Sequence, residues 1–257
     1  MATNMQAAIM PEANCAFLER KYTTTSYTNN KEFDKNGFLI VKDMWDPQEL
    51  YCELPNIRGK IDYIYSNDIN VFRYHDVEGQ VPGSLSRYWY PTYRKIHTGL
   101  RKKLEKIIGK KLYNTYYYDR YYFPGQELTK HADRPACEIS VTVHVSNNLP
   151  DDSKDWSFNI KTPDTYTDSK RTNVLVPGEV VSVYLNPGDG VIYKGCERPH
   201  WRDHMPSPRR RKRDILLRRK QPEYYYHQIF FHYVLADGLR SYLKGDIPKL
   251  NAVELEP

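Results

Sequence analysis

Cysteine is scarce in this chain of 257 residues: Cys15, Cys52, Cys137 and Cys196 are its four, widely spaced, and no CxxC pair occurs. That excludes a disulfide framework and paired-thiol zinc motifs. It also favours a reducing setting, cytoplasmic or otherwise intracellular. No run reaches the ~18 uninterrupted apolar residues that a membrane-spanning helix needs. The N-terminus lacks the basic stretch and apolar run of a secretory signal. No fixed-period repeat is present, which argues against solenoids and propellers. The His-x-His pair of cupin-like sites and the H-E-x-x-H of zinc hydrolases are both missing.

Positive charge away from one segment is also missing. The formal net charge is +6, but residues 209–220 (RRRKRDILLRRK, from Arg209 to Lys220) carry eight basic residues and Asp214, +7 in all, so the remainder is near −1. A surface that grips nucleic acid as a whole is therefore not expected. Pro206, Pro208 and Pro222 flank the run, which reads as an insertion at 205–222. Most such runs are solvated loops. The functional reading is an electrostatic lip that attracts an acidic partner or a nucleic-acid backbone.

What is abundant is tyrosine, 23 residues, which with eight Phe and four Trp brings aromatics to 14%. Tyrosine suits strands and half-buried walls. Along the chain, residues 1–30 read as a polar arm with one short helix near 13–21. Residues 38–42 read as a strand after the Asn36-Gly37 turn. Asp46-Pro47 caps and starts a helix. Residues 60–90 are aromatic and irregular, with a break at Pro82-Gly83. Residues 91–108 form the clearest helix, with Ile96, Leu100, Leu104 and Ile107 on one stripe and Gly109 as its end.

Beyond Gly109 the period changes from helical to alternating. Strands are expected at 113–123, 138–146, 156–160, 180–185, 190–194 and 225–235, separated by Pro-Gly and Asn-Asn turns. Helices first, then many short strands, predict a mainly β fold, a sandwich or barrel buttressed by N-terminal helices. The expected layout is a flexible arm at 1–30, a helical or mixed support region at 31–112, a β core at 113–240 and a C-terminal tail at 241–257.

Among eight histidines, His131 and His200 have telling neighbours. His131-Ala-Asp133 ends a strand after a Pro-Gly turn, and i and i+2 share a strand face. His200 follows 67 residues later, after NPGDGVIY at 186–193. Two His and one carboxylate on one side of a metal leave the other side open, the arrangement of non-haem Fe(II) oxygenases. The triplet alone is weak; its context is stronger. The pieces RYYFPGQ (120–126), His131-Ala-Asp133, NPGDGVIY (186–193) and His200 resemble the Fe(II)/2-oxoglutarate-dependent dioxygenases, in particular the prolyl-hydroxylase-like branch. The stretch HADRPACEISVTVHVS at 131–146 is similar to bacterial and phage-type members.

The resemblance spans roughly 113–235 and implies a double-stranded β-helix, or jelly roll. It implies His131, Asp133 and His200 as the catalytic iron ligands. It implies Tyr121 as the tyrosine that touches 2-oxoglutarate, and Ser140, Thr142 and His144 as polar side chains around that cosubstrate. Ordinary strand alternation explains the last three equally well. A guanidinium is expected for the distal carboxylate. The family places it about ten residues past the last histidine, whereas here the final strand has no Arg or Lys. Arg202, within His-Trp-Arg, is favoured over Arg209, Arg210 and Arg211. The implied cofactors are Fe(II), 2-oxoglutarate, dioxygen and ascorbate as reductant. The implied activity is hydroxylation of a C–H bond on a peptide or protein, without a membrane. The rival reading is a non-enzymatic β-sandwich binding module whose basic loop binds an acidic or nucleic-acid partner, with the three candidate ligands scattered. His204 is kept as a substitute ligand, and Asp189 and Asp203 as turn or cap residues.

Overall fold

The computed structural model describes residues 30–53, 71–74, 80–150, 156–169, 172–208, 216 and 223–245. The expected helix at 13–21 and the basic run at 209–220, apart from an exposed Leu216, lie outside them. No described helix is long and apolar enough to cross a membrane.

The chain enters through helix α1 (Lys31–Asn36), which Gly37 ends in the left-handed conformation at φ 73°, and strand β1 (Phe38–Val41) follows. Helix α2 (Pro47–Leu50) starts where expected, with the Asp46 carboxylate accepting from the Gln48 N–H. Helix α3 (Thr92–Ile108) buries Ile96, His97, Leu100, Leu104 and Ile108, and Gly109 closes it at φ 66°. The expected stripe is wider than its four members: Ile107 packs half-buried against the core, and Tyr93, His97 and Ile108 are buried beside it.

Two further strands run through the stretch read as irregular, β2 (Val71–Tyr74) and β3 (Leu85–Tyr88). The remaining strands are β4 (Leu112–Tyr122), β5 (Leu128–His131), β6 (Ile139–Asn147), β7 (Phe158–Lys161), β8 (Thr165–Ser169), β9 (Thr172–Val176), β10 (Val180–Val183), β11 (Gly190–Tyr193), β12 (His200–Arg202) and β13 (Tyr226–Leu235). The larger sheet has the order β1-β11-β6-β13-β4-β3-β2, the smaller one β10-β7-β12-β5, and β8–β9 is a separate hairpin. Every strand pair is antiparallel.

From β4 to β7 and again from β10 to β13, successive strands alternate between the two sheets in the double-stranded pattern of a jelly roll, while β7 and β10, on either side of the hairpin, pair within the smaller sheet. Residues 31–112 supply three strands to the larger sheet as well as the helix behind it.

Strand alternation gives the larger sheet two different faces. Ile139, Val141 and Val143 of β6 and Ile229, Phe231 and Tyr233 of β13 pack on α3. On that side lies a buried ionic cluster. Arg87 grips Asp119 through Nε and NH2 at 2.9 and 2.7 Å, and His227 Nε2 donates to the same carboxylate at 2.8 Å. Burial alone would raise the Asp119 pKa, but Arg87 and His227 outweigh it and hold it below the usual range.

His97 of α3 is a neutral wedge. Its Nε2–H donates to the His232 carbonyl at 3.1 Å, and its Nδ1 accepts from Asn114 at 3.4 Å. Burial lowers its pKa to about 3, and burial likewise lowers His144 to about 4. Below the ordinary histidine value of ~6.5 the unfolded chain takes up protons that the native state refuses, so stability present above that pH is lost as pH falls toward 4. We expect the urea midpoint to drop between pH 7 and pH 4.5. An unchanged midpoint would show that neither histidine is buried in its neutral form.

Candidate metal centre

The candidate ligands come from two neighbouring strands of the smaller sheet. β5 and β12 pair with His131 directly opposite His200. The two rings lie 4.4 Å apart between centroids. Asp133 sits two residues past His131, just outside β5, and its N–H donates to the Gly195 carbonyl at 2.9 Å. Its Oδ1 lies 3.6 Å from both His131 Nε2 and His200 Nε2. The three donors fall within 4.8 Å of one another, within reach of a single ion with bonds of ~2.0–2.2 Å.

The histidine tautomers suit that use. His131 Nδ1 bonds the Thr129 carbonyl at 2.7 Å, and His200 Nδ1 bonds the Arg198 carbonyl at 2.9 Å. A carbonyl only accepts, so both Nδ1 atoms carry the proton and both Nε2 lone pairs face Asp133. Burial would raise the Asp133 pKa, yet the neighbouring His200 and His131 outweigh it and hold it well below the usual carboxylate range. Burial pulls His200 down to about 4. For His131, burial pulls down while the Asp133 carboxylate pulls up more, and the net shift is upward.

The other carboxylate oxygen is fixed from behind. Ser140 Oγ donates to Asp133 Oδ2 at 2.7 Å and is itself 3.0 Å from His232 Nδ1. Gly195 leaves just enough room for this contact. A Cβ there would stand 2.5 Å from Asp133 Oδ2 and from Ser140 Oγ, and would overlap the Cys137 carbonyl.

Ser140, Thr142 and His144 all line the inner face, as expected of alternate positions on β6. Thr142 Oγ1 accepts from Gln228 Nε2. His144 stacks on Tyr226 at 4.1 Å and donates to the Leu185 carbonyl at 2.7 Å. Arg202 shares their enclosure. Its Nε donates to Gln228 Oε1 at 3.1 Å, its NH1 to the Trp156 carbonyl at 2.8 Å and its NH2 to Tyr226 Oη at 3.4 Å. Its guanidinium also lies over the Trp156 and Tyr226 rings. It is 1% exposed, and among the described residues no carboxylate pairs with it.

Tyr121 does not join them. Its hydroxyl bonds the Cys52 and Glu53 carbonyls at 3.1 Å, and its ring stacks on His227 at 3.9 Å, on the α3 side of the sheet. Tyr122, one residue on, faces inward, against Trp156 and within 3.4 Å of Arg120 NH1. β4 carries tyrosines at 113, 116, 117, 118, 121 and 122, so its side chains give no polarity alternation that would set the register.

His204 is exposed and pairs with Glu127 at 3.2 Å, away from the triad. Asp189 accepts from Lys42 and the Asn186 and Asp43 N–H groups, and Asp203 accepts from Asn159, as turn and support residues. Inner-face residues that the motifs did not single out are Gln80, Tyr226 and Gln228, and alternation along β13 is the signal for the last two. His232, read from the sequence as a hydrogen-bonded core or pocket-wall residue, lies on the same face beside Ser140.

No family model and no curated protein matches this chain. Solved structures similar to it include a prolyl-4-hydroxylase from Pseudomonas putida, at 13% identity over 78% of this chain and 95% of that one, TM-score 0.45. EctD from S. alaskensis in its apo form matches at 15% identity over 79% and 75%, TM-score 0.48. HygX from Streptomyces hygroscopicus, with nickel and 2-oxoglutarate bound, matches at 11% over 78% and 84%, TM-score 0.45.

Because Gly195 admits no side chain, Gly195→Ala is expected to push Asp133 off its Ser140 contact. Metal affinity should fall ~10- to 100-fold, the usual cost of disturbing the support of a ligand, and the melting temperature should fall as well, because the Cβ also overlaps the Cys137 backbone carbonyl. Calorimetric titration with Mn(II) measures it. Unaltered affinity would show that the Asp133 position does not govern metal uptake.

Proposed function

We propose that this protein is an Fe(II)/2-oxoglutarate-dependent dioxygenase that hydroxylates a C–H bond. The observation that carries the reading is the open triad His131, Asp133 and His200 together with a buried guanidinium, Arg202, two residues along the same strand. Positions i and i+2 lie ~6.5 Å apart along a strand, so an acid chelated at the triad has its far carboxylate near Arg202. Two N–H donors of one guanidinium match two carboxylate oxygens. The inward positions of β13, where the family's basic residue is expected, are held instead by Tyr226 and Gln228. Both accept from Arg202, which reaches the same space from the opposite sheet.

The donor set, two neutral imidazoles and one carboxylate, suits Fe(II). When bound, the iron would supply the oxidative decarboxylation of 2-oxoglutarate to succinate and carbon dioxide and the oxidation of the substrate C–H bond, with dioxygen as oxidant and ascorbate keeping the metal reduced. The chain's own part is to bind and exclude. His131, Asp133 and His200 hold the ion on one side. Arg202 orients the cosubstrate by its far end, and Ser140, Thr142, His144 and Gln228 form the polar wall around it. Trp156, Phe158 and Tyr226 keep water from the guanidinium and so strengthen its hold on a carboxylate. The binding-module alternative needs the three ligands scattered, and they lie together. The sequence resemblance tilts the substrate toward a peptidyl side chain. An acidic or nucleic-acid partner at Arg209–Lys220 is a separate reading of that run.

Two outcomes test this function. Succinate should form from 2-oxoglutarate in the presence of Fe(II), screened with peptide, nucleotide and small-molecule pools, and should vanish in His131→Ala and Asp133→Ala with the fold intact. Full turnover by Asp133→Ala would remove the carboxylate from the ligand set.

Arg202→Ala should weaken 2-oxoglutarate by roughly 30- to 4000-fold, the cost of stranding a buried carboxylate, and Arg202→Lys should recover part of it. A near-normal Arg202→Ala beside a crippled triple change of Arg209, Arg210 and Arg211 to Ala would move the anchor to the basic run.

A further inference from the structure

Gln80 reaches the triad from the segment that leads into β3. Its Oε1 accepts from Arg120 NH2 at 3.1 Å, and its Nε2 lies 3.1 Å from His131 Nε2. A guanidinium only donates, so the amide can be turned one way: oxygen toward Arg120, NH2 toward the histidine. His131 Nδ1 spends its proton on the Thr129 carbonyl, so Nε2 is the acceptor and the Gln80 amide donates to it.

Both ends of this contact are anchored. Arg120 is fully buried, cross-strand from Gln228, and also donates to Ser86 Oγ at 3.0 Å and Tyr122 Oη at 3.4 Å. Next to Gln80, Val81 is fully buried, and Pro82 accepts from Gln126 Nε2 at 3.1 Å.

The lone pair that Gln80 caps is the one a metal at the triad needs. A bound ion therefore takes the amide's acceptor away. Arg120 still holds Oε1, and its charge polarises the amide, leaving an N–H directed at the triad with nothing to receive it. A half-buried donor in that state favours an oxygen ligand.

We propose that Gln80 is a cosubstrate-contacting residue. In the metal-free protein it caps His131, and in the loaded protein it donates to the carboxylate of 2-oxoglutarate at the triad, positioned by Arg120. This rests on the Fe(II)/2-oxoglutarate reading and adds a second contact at the opposite end of the cosubstrate from Arg202.

The two roles predict opposite signs in two binding measurements. The full chain is titrated with Ni(II), and the Ni(II)-loaded protein is then titrated with 2-oxoglutarate, both by calorimetry. Gln80→Ala removes a competitor for the Nε2 lone pair, so Ni(II) should bind about 2- to 13-fold more tightly, the worth of one ordinary hydrogen bond. It also removes a donor to a carboxylate, so 2-oxoglutarate should bind about 13- to 160-fold more weakly. Gln80→Glu keeps the tie to Arg120 but presents negative charge, so Ni(II) should again bind more tightly and 2-oxoglutarate more weakly still. A residue with a purely structural role would weaken both. Weaker Ni(II) binding by Gln80→Ala, or unchanged 2-oxoglutarate affinity, overturns the proposal while the triad stands. A wild-type chain that takes up no Ni(II) overturns the metal-site reading and this proposal with it.

Discussion

The pairing of β5 with β12 is the constraint on which the site depends. It sets His131 opposite His200, so two residues 69 positions apart in the sequence become neighbours across a ladder. Asp133 then needs only to turn back toward them. The Gly195 carbonyl, the Ser140 hydroxyl and the missing side chain at 195 bring that turn about. Loss of the ladder would leave three ordinary polar side chains. With it, two neutral imidazoles and a carboxylate share one point, each oriented by a hydrogen bond on its far side.

The larger sheet serves this arrangement by keeping its two faces chemically distinct. Aliphatic residues of β6 and β13 bury against α3, while their alternate positions carry Ser140, Thr142, His144, Gln228 and His232 inward. A polar interior is costly unless each group is paired. Here the pairing is mutual: Gln228 bridges Thr142 and Arg202, and Ser140 bridges Asp133 and His232. Arg202 is the exception in charge, a buried cation whose described partners are all neutral. The Asp119–Arg87–His227 cluster on the other face has no such surplus, because its carboxylate is present. That contrast separates a support from a binding group on physical grounds.

Local chemistry made much of the fold legible. Asp46-Pro47 and Gly109 place helix ends because capping and positive φ are properties of single residues. The stripe Ile96, Leu100, Leu104 reads as a helix because its period is short-range. His131, Asp133 and His200 were legible because His-x-Asp and the glycine turn before the second histidine are compact patterns. Tyr121 was misplaced because a strand of tyrosines looks the same in either register, and β3 was missed because its strand character comes from pairing with β4.

The sequence by itself determined the mainly β character and the principal helix, which follow from periodicity and residue chemistry within a few positions, and its resemblance to the dioxygenases pointed to the candidate ligands. Only the tertiary structure decided which face each strand turns inward. It also decided that Arg202 lies enclosed with Gln228 and Tyr226, that Gly195 makes room for a carboxylate, and that Gln80 reaches His131. Each of those is a contact between segments distant in the chain. Its existence depends on sheet order and register, which backbone pairing sets and no single residue encodes.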